Sequence, residues 1–508
     1  MKRIDSLISL IRSMTKSERK AFSLRHGDAG ASSDRRYITL YQIIANDNVT
    51  SPLIVKERFL SQYPGGAFDV EVKYLYSRLT DMLLQQRYGK DVHTTLLTDL
   101  TKARMLFERS LFEDSFDLIS SVIRQANRLG LHEILLIAQK LELELLQNLD
   151  FNDISEQELF DKHMLQRKAI KSVSLITEHA SLYDLLRQRV LHMGAIHTPD
   201  EMKMMSDLVM SEFYSFSSEP EKPFELERNH RIFQAKYLME TGDISGALNV
   251  YNSLDRLLAE YSEQPASSPF YRLSVLEGIL KALRYARRYD EMEPYIERLR
   301  QLSDNAQADI RTTALCLEFQ FELVPHLDRG EFKICRDIVE RYRKQLFEHE
   351  SRPNPVRECE LQMYLAIVEL VSGNWRKVSR IINTAMVNEN IKYLPMMRTV
   401  RLIKLMAYYE LDEHELLQYE ARSITRSRRN ISFATESMML RFLSNSGLPP
   451  MQRQRLAIWN KMKPSIINLS EDKHERQILL IFDFTAWIEA KLTGVSLDRI
   501  LAERVKKR

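Results

Sequence analysis

Residues 371–386 read VSGNWRKVSRIINTAM. Two readings compete here. Trp375 beside Arg376, Lys377 and Arg380 has the composition of a basic, aromatic binding spot. The same letters also spell a helix hairpin. Gly373 supplies the left-handed backbone that ends one helix, and Asn374 suits the cap of the next. Val378, Ile382 and Ala385 follow at spacings of 4 and 3, which puts them on one helical face.

Four other stretches decide between the two. METGDISGALNVYNSL carries Gly242, Ala247, Tyr251 and Leu254, and YARRYDEMEPYIERL carries Arg287, Met292, Ile296 and Leu299. LDRGEFKICRDIVERY carries Gly330, Cys335, Val339 and Tyr342, and YELDEHELLQYEARSI carries Asp412, Leu417, Ala421 and Ile424. In each, apolar residues stand 5, 9 and 12 positions after a turn residue. Trp375 falls where Ile244, Tyr289 and Phe332 stand, so it reads as a packing residue of a hairpin. The turn positions 242, 287, 330, 373 and 412 recur at intervals of 45, 43, 43 and 39. Pro220, Pro223, Pro265, Pro269, Pro353, Pro355 and Pro395 punctuate the stretches between them. Each unit is therefore expected to be helix, tight turn, helix, loop. Such pairs bury their apolar faces only by stacking on one another. The expected fold is all-α: a right-handed solenoid of antiparallel helix pairs in units of about 43 residues. RSLFEDSFDLISSVIRQA, from 109, reads as a further copy through Ser115, Ile119 and Val122.

Composition agrees. The 508 residues include only 14 Gly and 15 Pro, too few for a chain of many strands and tight turns. Hydrophobic residues make up 44% and charged residues 28%, the balance of a folded chain rather than a disordered one. The three cysteines lack CxxC spacing, and an odd number leaves one unpaired, so reduced thiols in a cytoplasm are expected. The start, MKRIDSLISLIRSM, lacks the cleavage site of a signal peptide. No apolar run approaches the roughly 20 residues of a spanning helix, so no membrane partner is expected.

The turn followed by Ala247 and Tyr251 resembles the tetratricopeptide repeat, whose usual period is about 34 residues. The resemblance covers residues 225–430 and implies a binding scaffold rather than an enzyme. Residues 91–224 read as irregular and repeat-like helix pairs, and residues 431–508 as helices capping the stack. Residues 1–90 read as a separate small module of four helices, with the breakers Thr50-Ser51-Pro52 and Tyr63-Pro64-Gly65-Gly66 between them. Its KSER and YLY segments resemble the opening of uncharacterised bacterial helical-repeat proteins, which implies no activity.

Chemistry-bearing motifs are missing. There is no GxxxxGK[ST], GxGxxG or GxSxG, and HEILL, HELLQ and HERQI all lack the second histidine of HExxH. His192 and His197, five apart, leave one helical face. No catalytic residue, cofactor or metal is expected. If the groove of a tetratricopeptide-like stack is used, its contact positions lie on the first helix of each pair. These are Asn229, Lys236, Glu277, Lys281, Arg284 and Gln320, with the cations suited to a peptide carboxylate. The expected function is a non-enzymatic scaffold for a protein or peptide. The alternative is a cytoplasmic regulator whose N-terminal module binds nucleic acid. Residues 1–90 carry a net charge of +6 against −3 for the remainder, and Tyr37–Phe59 has the outline of a helix-turn-helix. Its nucleic-acid contacts would be Lys56 and Arg58, aided by Arg35 and Arg36. RSITRSRRN at 422–430 and AERVKKR at the C-terminus place cations at helix ends, where they complement the dipole or meet an anion.

Overall fold

The computed structural model describes residues 2–26, 34–46, 51–152, 154–193, 199–217, 220–305, 308–348, 353–386, 394, 396–426, 433–444, 447–472 and 475–506. Among these, every regular element is helical. The chain forms two compact units, Met1–Val173 and Ser174–Arg508.

The first unit holds α1 (Lys2–Ser13), α2 (Lys16–His26), α3 (Asp34–Asn46), α4 (Pro52–Gln62), α5 (Phe68–Arg87), α6 (Val92–Phe107), α7 (Phe112–Arg128) and α8 (His132–Asn148). The long helix α9 (Glu156–Met193) begins in it. Among the described residues the N-terminal module has five helices rather than four, because the stretch ahead of Thr15 is also helical. Its Ile4, Leu7, Ile8 and Ile11 recur at helical spacing and are buried. They join Phe22, Leu40, Phe59 and Leu75 in one core. Thr15 starts α2 with a reciprocal cap: its hydroxyl accepts from the Glu18 N–H, and Glu18 accepts from the Thr15 N–H. A second core joins α6, α7 and α8, with Leu96, Ile119, Val122 and Ala138 at its centre.

The second unit continues with the C-terminal part of α9, then α10 (Pro199–Ser217), α11 (Phe224–Thr241), α12 (Ile244–Glu260), α13 (Pro269–Tyr285) and α14 (Glu293–Asn305). Next come α15 (Ala308–Arg329), α16 (Phe332–Tyr342), α17 (Pro355–Val371), α18 (Trp375–Ala385), α19 (Met396–Glu410) and α20 (His414–Arg426). It ends with α21 (Ala434–Ser444), α22 (Gln452–Glu471), α23 (Glu475–Ile481), α24 (Phe484–Thr493) and α25 (Leu497–Lys506).

All five turn positions read from the sequence adopt the left-handed backbone. φ is +78° at Gly242, +56° at Arg287, +76° at Gly330, +78° at Gly373 and +56° at Asp412. A helical segment begins two residues after each one. Arg287 and Asp412 hold this geometry without being glycine, at a cost of roughly 1–2 kcal/mol each. The residues at +5, +9 and +12 are buried in every copy except at Tyr251 and Ala385, which are half-buried. From α11 to α20 the helices pack pairwise, each pair packs on the next, and α13, α15, α17, α19 and α21 each touch the next in that row. One continuous hydrophobic core runs from Phe224 to Leu492.

Trp375 is half-buried and packs against that core, while Arg376, Lys377 and Arg380 face water. Asn374 differs from expectation. Its side chain does not cap α18 but donates to Glu369 Oε2 at 2.7 Å. Cys316, Cys335 and Cys359 are free and buried, and burial pushes their thiols up to about 12, 12 and 11.

The C-terminal helices do more than end the row. The Leu480 carbonyl accepts from Arg284 of α13, and the Arg504 carbonyl accepts from Arg287 Nη1 at 3.2 Å. Trp487 Nε1 donates to Glu410 of α19 at 3.1 Å, and α25 packs on α15. Residues 475–506 therefore lie along the turn end of several pairs. Arg504, read from sequence as a terminal cation, is held by Asp483 at 2.8 Å and by Glu489 at 2.5 Å. Among the described residues no helix is long and apolar enough to cross a membrane.

Candidate functional site

The six groove positions all lie in the second unit, and each has a partner inside the protein. Asn229 Oδ1 accepts from the guanidinium of Arg228 at 2.8 and 3.1 Å. Lys236 pairs with Glu240 at 2.5 Å. The remaining four build two polar clusters along α13, α15 and α17. In the first, Glu277 accepts from Lys281 at 2.6 Å and from Arg357, which also reaches Glu360 at 2.7 Å. In the second, Arg284 grips Asp328 through two bonds of 2.9 and 3.0 Å and donates to Tyr364 Oη at 3.2 Å. Gln320 Nε2 meets the same Tyr364 Oη at 3.4 Å, and Tyr289 Oη donates to Asp328 at 3.0 Å. The periodicity explains these meetings. Glu277 to Arg357 and Arg284 to Tyr364 each span 80 residues, close to two units, so first helices bond across the row.

Bidentate Arg–carboxylate geometry in a nearly dry setting is strong and directional. Here it fixes the register of neighbouring pairs. Beside the Arg284 cluster a cavity of about 50 Å³ is lined by Tyr285, Asp328, Arg476, Phe482 and Asp483. That is room for a water molecule or so, far below the roughly 300 Å³ of a small-ligand site.

Charge balance in this seam has a pH signature. Burial works against the charge on Glu277, but Lys281 and Arg357 outweigh it and hold the carboxyl down at about 2. A folded-state pKa below the unfolded one means stability that is complete above about pH 4.5 and lost as pH falls toward 2. Asp483, likewise buried but held down by Arg504, has the same sign. Urea midpoints measured between pH 6 and 2 should therefore fall most steeply below pH 4.5, and Glu277→Gln should make that acid limb shallower. An unchanged slope in the variant would show that Glu277 carries none of it.

The N-terminal basic residues are divided. Arg36, Lys56 and Arg58 are exposed on α3 and α4, and Arg36 lies 5.7 Å from the ring of Tyr63. The outward side of α4 also shows Leu53, Ile54 and Glu57, so it is mixed rather than uniformly basic. The Arg35 side chain, the turn at 47–50, the His192 side chain, His197, Arg428 and Arg429 lie outside the described residues.

One constellation has no sequence signature. His179 of α9, Glu212 of α10 and His230 of α11 converge in the second unit. His179 Nε2 and His230 Nδ1 each stand 2.5 Å from the same oxygen, Oε1 of Glu212. Side-chain exposures are 0% for His179, 2% for Glu212 and 12% for His230. Burial opposes the Glu212 charge, yet the hydrogen bonds from the two imidazoles outweigh it and hold the carboxyl below the usual range. Phe216 stacks on His230 with 3.6 Å between ring centres, and the His179 ring lies 6.0 Å from that of Phe233. The intervals of 33 and 18 residues match no metal-site motif. Only the antiparallel return of three helices brings the groups together.

No protein-family model, curated protein or solved structure matches this chain.

Proposed function

We propose that the chain is a non-enzymatic helical-repeat scaffold that binds a protein or peptide partner. The observation that carries this reading is an exposed apolar stripe on α10, unpartnered among the described residues. Met210, Phe213 and Tyr214, at positions i, i+3 and i+4, are 48%, 52% and 66% exposed. Residues at this spacing form one surface on a helix. Contiguous exposed apolar surface marks interaction sites on soluble proteins. The other face of α10 carries Met205, Leu208 and Glu212 inward, so the stripe is not a by-product of an unpacked helix. The polar side chains of the inner seam pair with one another, so the reading rests on the α10 stripe and not on the seam. We read the units as tetratricopeptide-like in their turns and stripes, with a longer period. The three buried free thiols fit a reducing compartment such as the cytoplasm.

The test compares full-length variants as bait in extracts of the source cell. Wild type and Lys281→Ala should retain the same stoichiometric partner, and Phe213→Asp with Tyr214→Asp should lose it. Loss through Lys281→Ala alone would return the binding surface to the groove. A salt-sensitive nucleic-acid complex abolished by Lys56→Ala and Arg58→Ala would instead support the regulator reading.

A further inference from the structure

We propose that His179, Glu212 and His230 form a binding site for a divalent transition-metal cation of the zinc class. Three donors from three helices point at one place, with all ligand atoms within 4.8 Å of one another. Two imidazoles and one carboxylate are the donor set of open zinc and related first-row metal sites. Calcium or magnesium would call for more oxygen ligands. The surroundings are apolar: Leu186, Met205, Leu208 and Phe233 form the adjoining core. In such a place the carboxylate and the two imidazoles face one another through a single oxygen, Oε1 of Glu212, which is where an ion would sit.

His179 offers Nε2 to the site, and among the described residues its other ring nitrogen, Nδ1, is buried without a hydrogen-bond partner, so Glu212 is the one polar group that orients this ring. One member of the site reaches the surface. His230 lines a surface depression of about 360 Å³ together with Phe216, Gln234 and Asn249. An ion held by the three side chains would keep a water ligand on that side. The nearby cations are engaged elsewhere: Arg231 with Glu227 at 3.2 Å, and Lys222 over the Phe216 ring at 4.7 Å.

The geometry needs a small opening. A tetrahedral ion with bonds of about 2.1 Å holds its ligands about 3.4 Å apart. The present N···O distances are 2.5 Å, so each imidazole must draw back from the carboxylate by under an ångström. Rotation of the Glu212 carboxylate supplies that. The ion would then tie α9, α10 and α11 together.

The experiment uses the full-length, untagged protein, stripped with a chelator and dialysed against Zn²⁺. One equivalent should be retained through gel filtration. Co²⁺ should give the intense visible absorption of a low-coordinate nitrogen and oxygen site. Zn²⁺ should raise the melting temperature of wild type by mass action. His230→Ala, the least buried change, and Glu212→Gln should each weaken Zn²⁺ binding by about 100-fold or more, with helical content checked by circular dichroism. Retention of well under one equivalent by wild type would overturn the proposal, whatever the variants do. So would equal Zn²⁺ affinity in wild type and His230→Ala, which would assign the metal to surface histidines.

Discussion

Arg284→Ala should lower the unfolding free energy by about 3–5 kcal/mol, the usual result of removing one partner from a buried ion pair. The side chain is 8% exposed and serves three elements at once: Asp328 of α15, Tyr364 of α17 and the Leu480 carbonyl of α23. Its loss strands a carboxylate that is 17% exposed, with Tyr289 as the remaining donor among the described residues of the cluster. Arg284→Met keeps the length and removes the charge, so it should cost a similar amount. The check is a double-mutant cycle with Asp328→Leu, read from chemical denaturation. If the pair acts as a unit, the second substitution should cost at least about 1 kcal/mol less in the Arg284→Met background. Simple additivity would mean that the two side chains stabilise the row independently.

Trp487→Ala should cost about as much, roughly 3–5 kcal/mol. Trp487 is 5% exposed. Its ring meets Tyr409 and Phe442 edge-on at 5.6 and 5.8 Å, so α24 is keyed to α19 and α21 through one aromatic cluster. The indole N–H donates to Glu410, which Lys491 also binds at 2.7 Å. Trp487→Phe separates the two contributions. It keeps most of the packing and gives up one hydrogen bond whose acceptor retains Lys491, so it should cost only about 1 kcal/mol. A Trp487→Ala variant as stable as Trp487→Phe would show that α24 is not packed as described.

Much of the architecture is legible in local sequence, because a left-handed turn and the apolar face after it are local. Glycine at 242, 330 and 373 announces the turn through φ alone. Arg287 and Asp412 carry no such signal by themselves, and only the period of about 43 residues finds them. The helix Lys2–Ser13 carries Ile4, Leu7, Ile8 and Ile11 at helical spacing but lies ahead of the Thr15 cap. What sequence does not reveal is who meets whom at long range. The bond from Arg284 to the Leu480 carbonyl spans 196 residues, and backbone carbonyls leave no trace in composition. Glu277, Lys281, Arg284 and Gln320 lie on first helices, α13 and α15. Nothing in their identities says that partners two units away, and residues 475–506, would occupy them. The convergence of His179, Glu212 and His230 is silent for the same reason, since it depends on the return of three helices and not on spacing.

The C-terminal helices close against the turn end of the row. Paired glycine substitutions test this closure most directly. Gly330 and Gly373 have nearly the same backbone, φ +76° and +78°. A Cβ at Gly373 meets nothing within 4 Å, whereas one at Gly330 falls 2.5 Å from the carbonyl oxygen of Asp498 in α25. Gly373→Ala should cost only the left-handed backbone penalty, about 1–2 kcal/mol. Gly330→Ala should cost that plus about 1–3 kcal/mol of forced displacement of α25. Chemical denaturation of the two variants side by side gives the answer. A clearly larger loss at Gly330 is the predicted result, and equal losses would contradict the docking of the C-terminal helices on the turns.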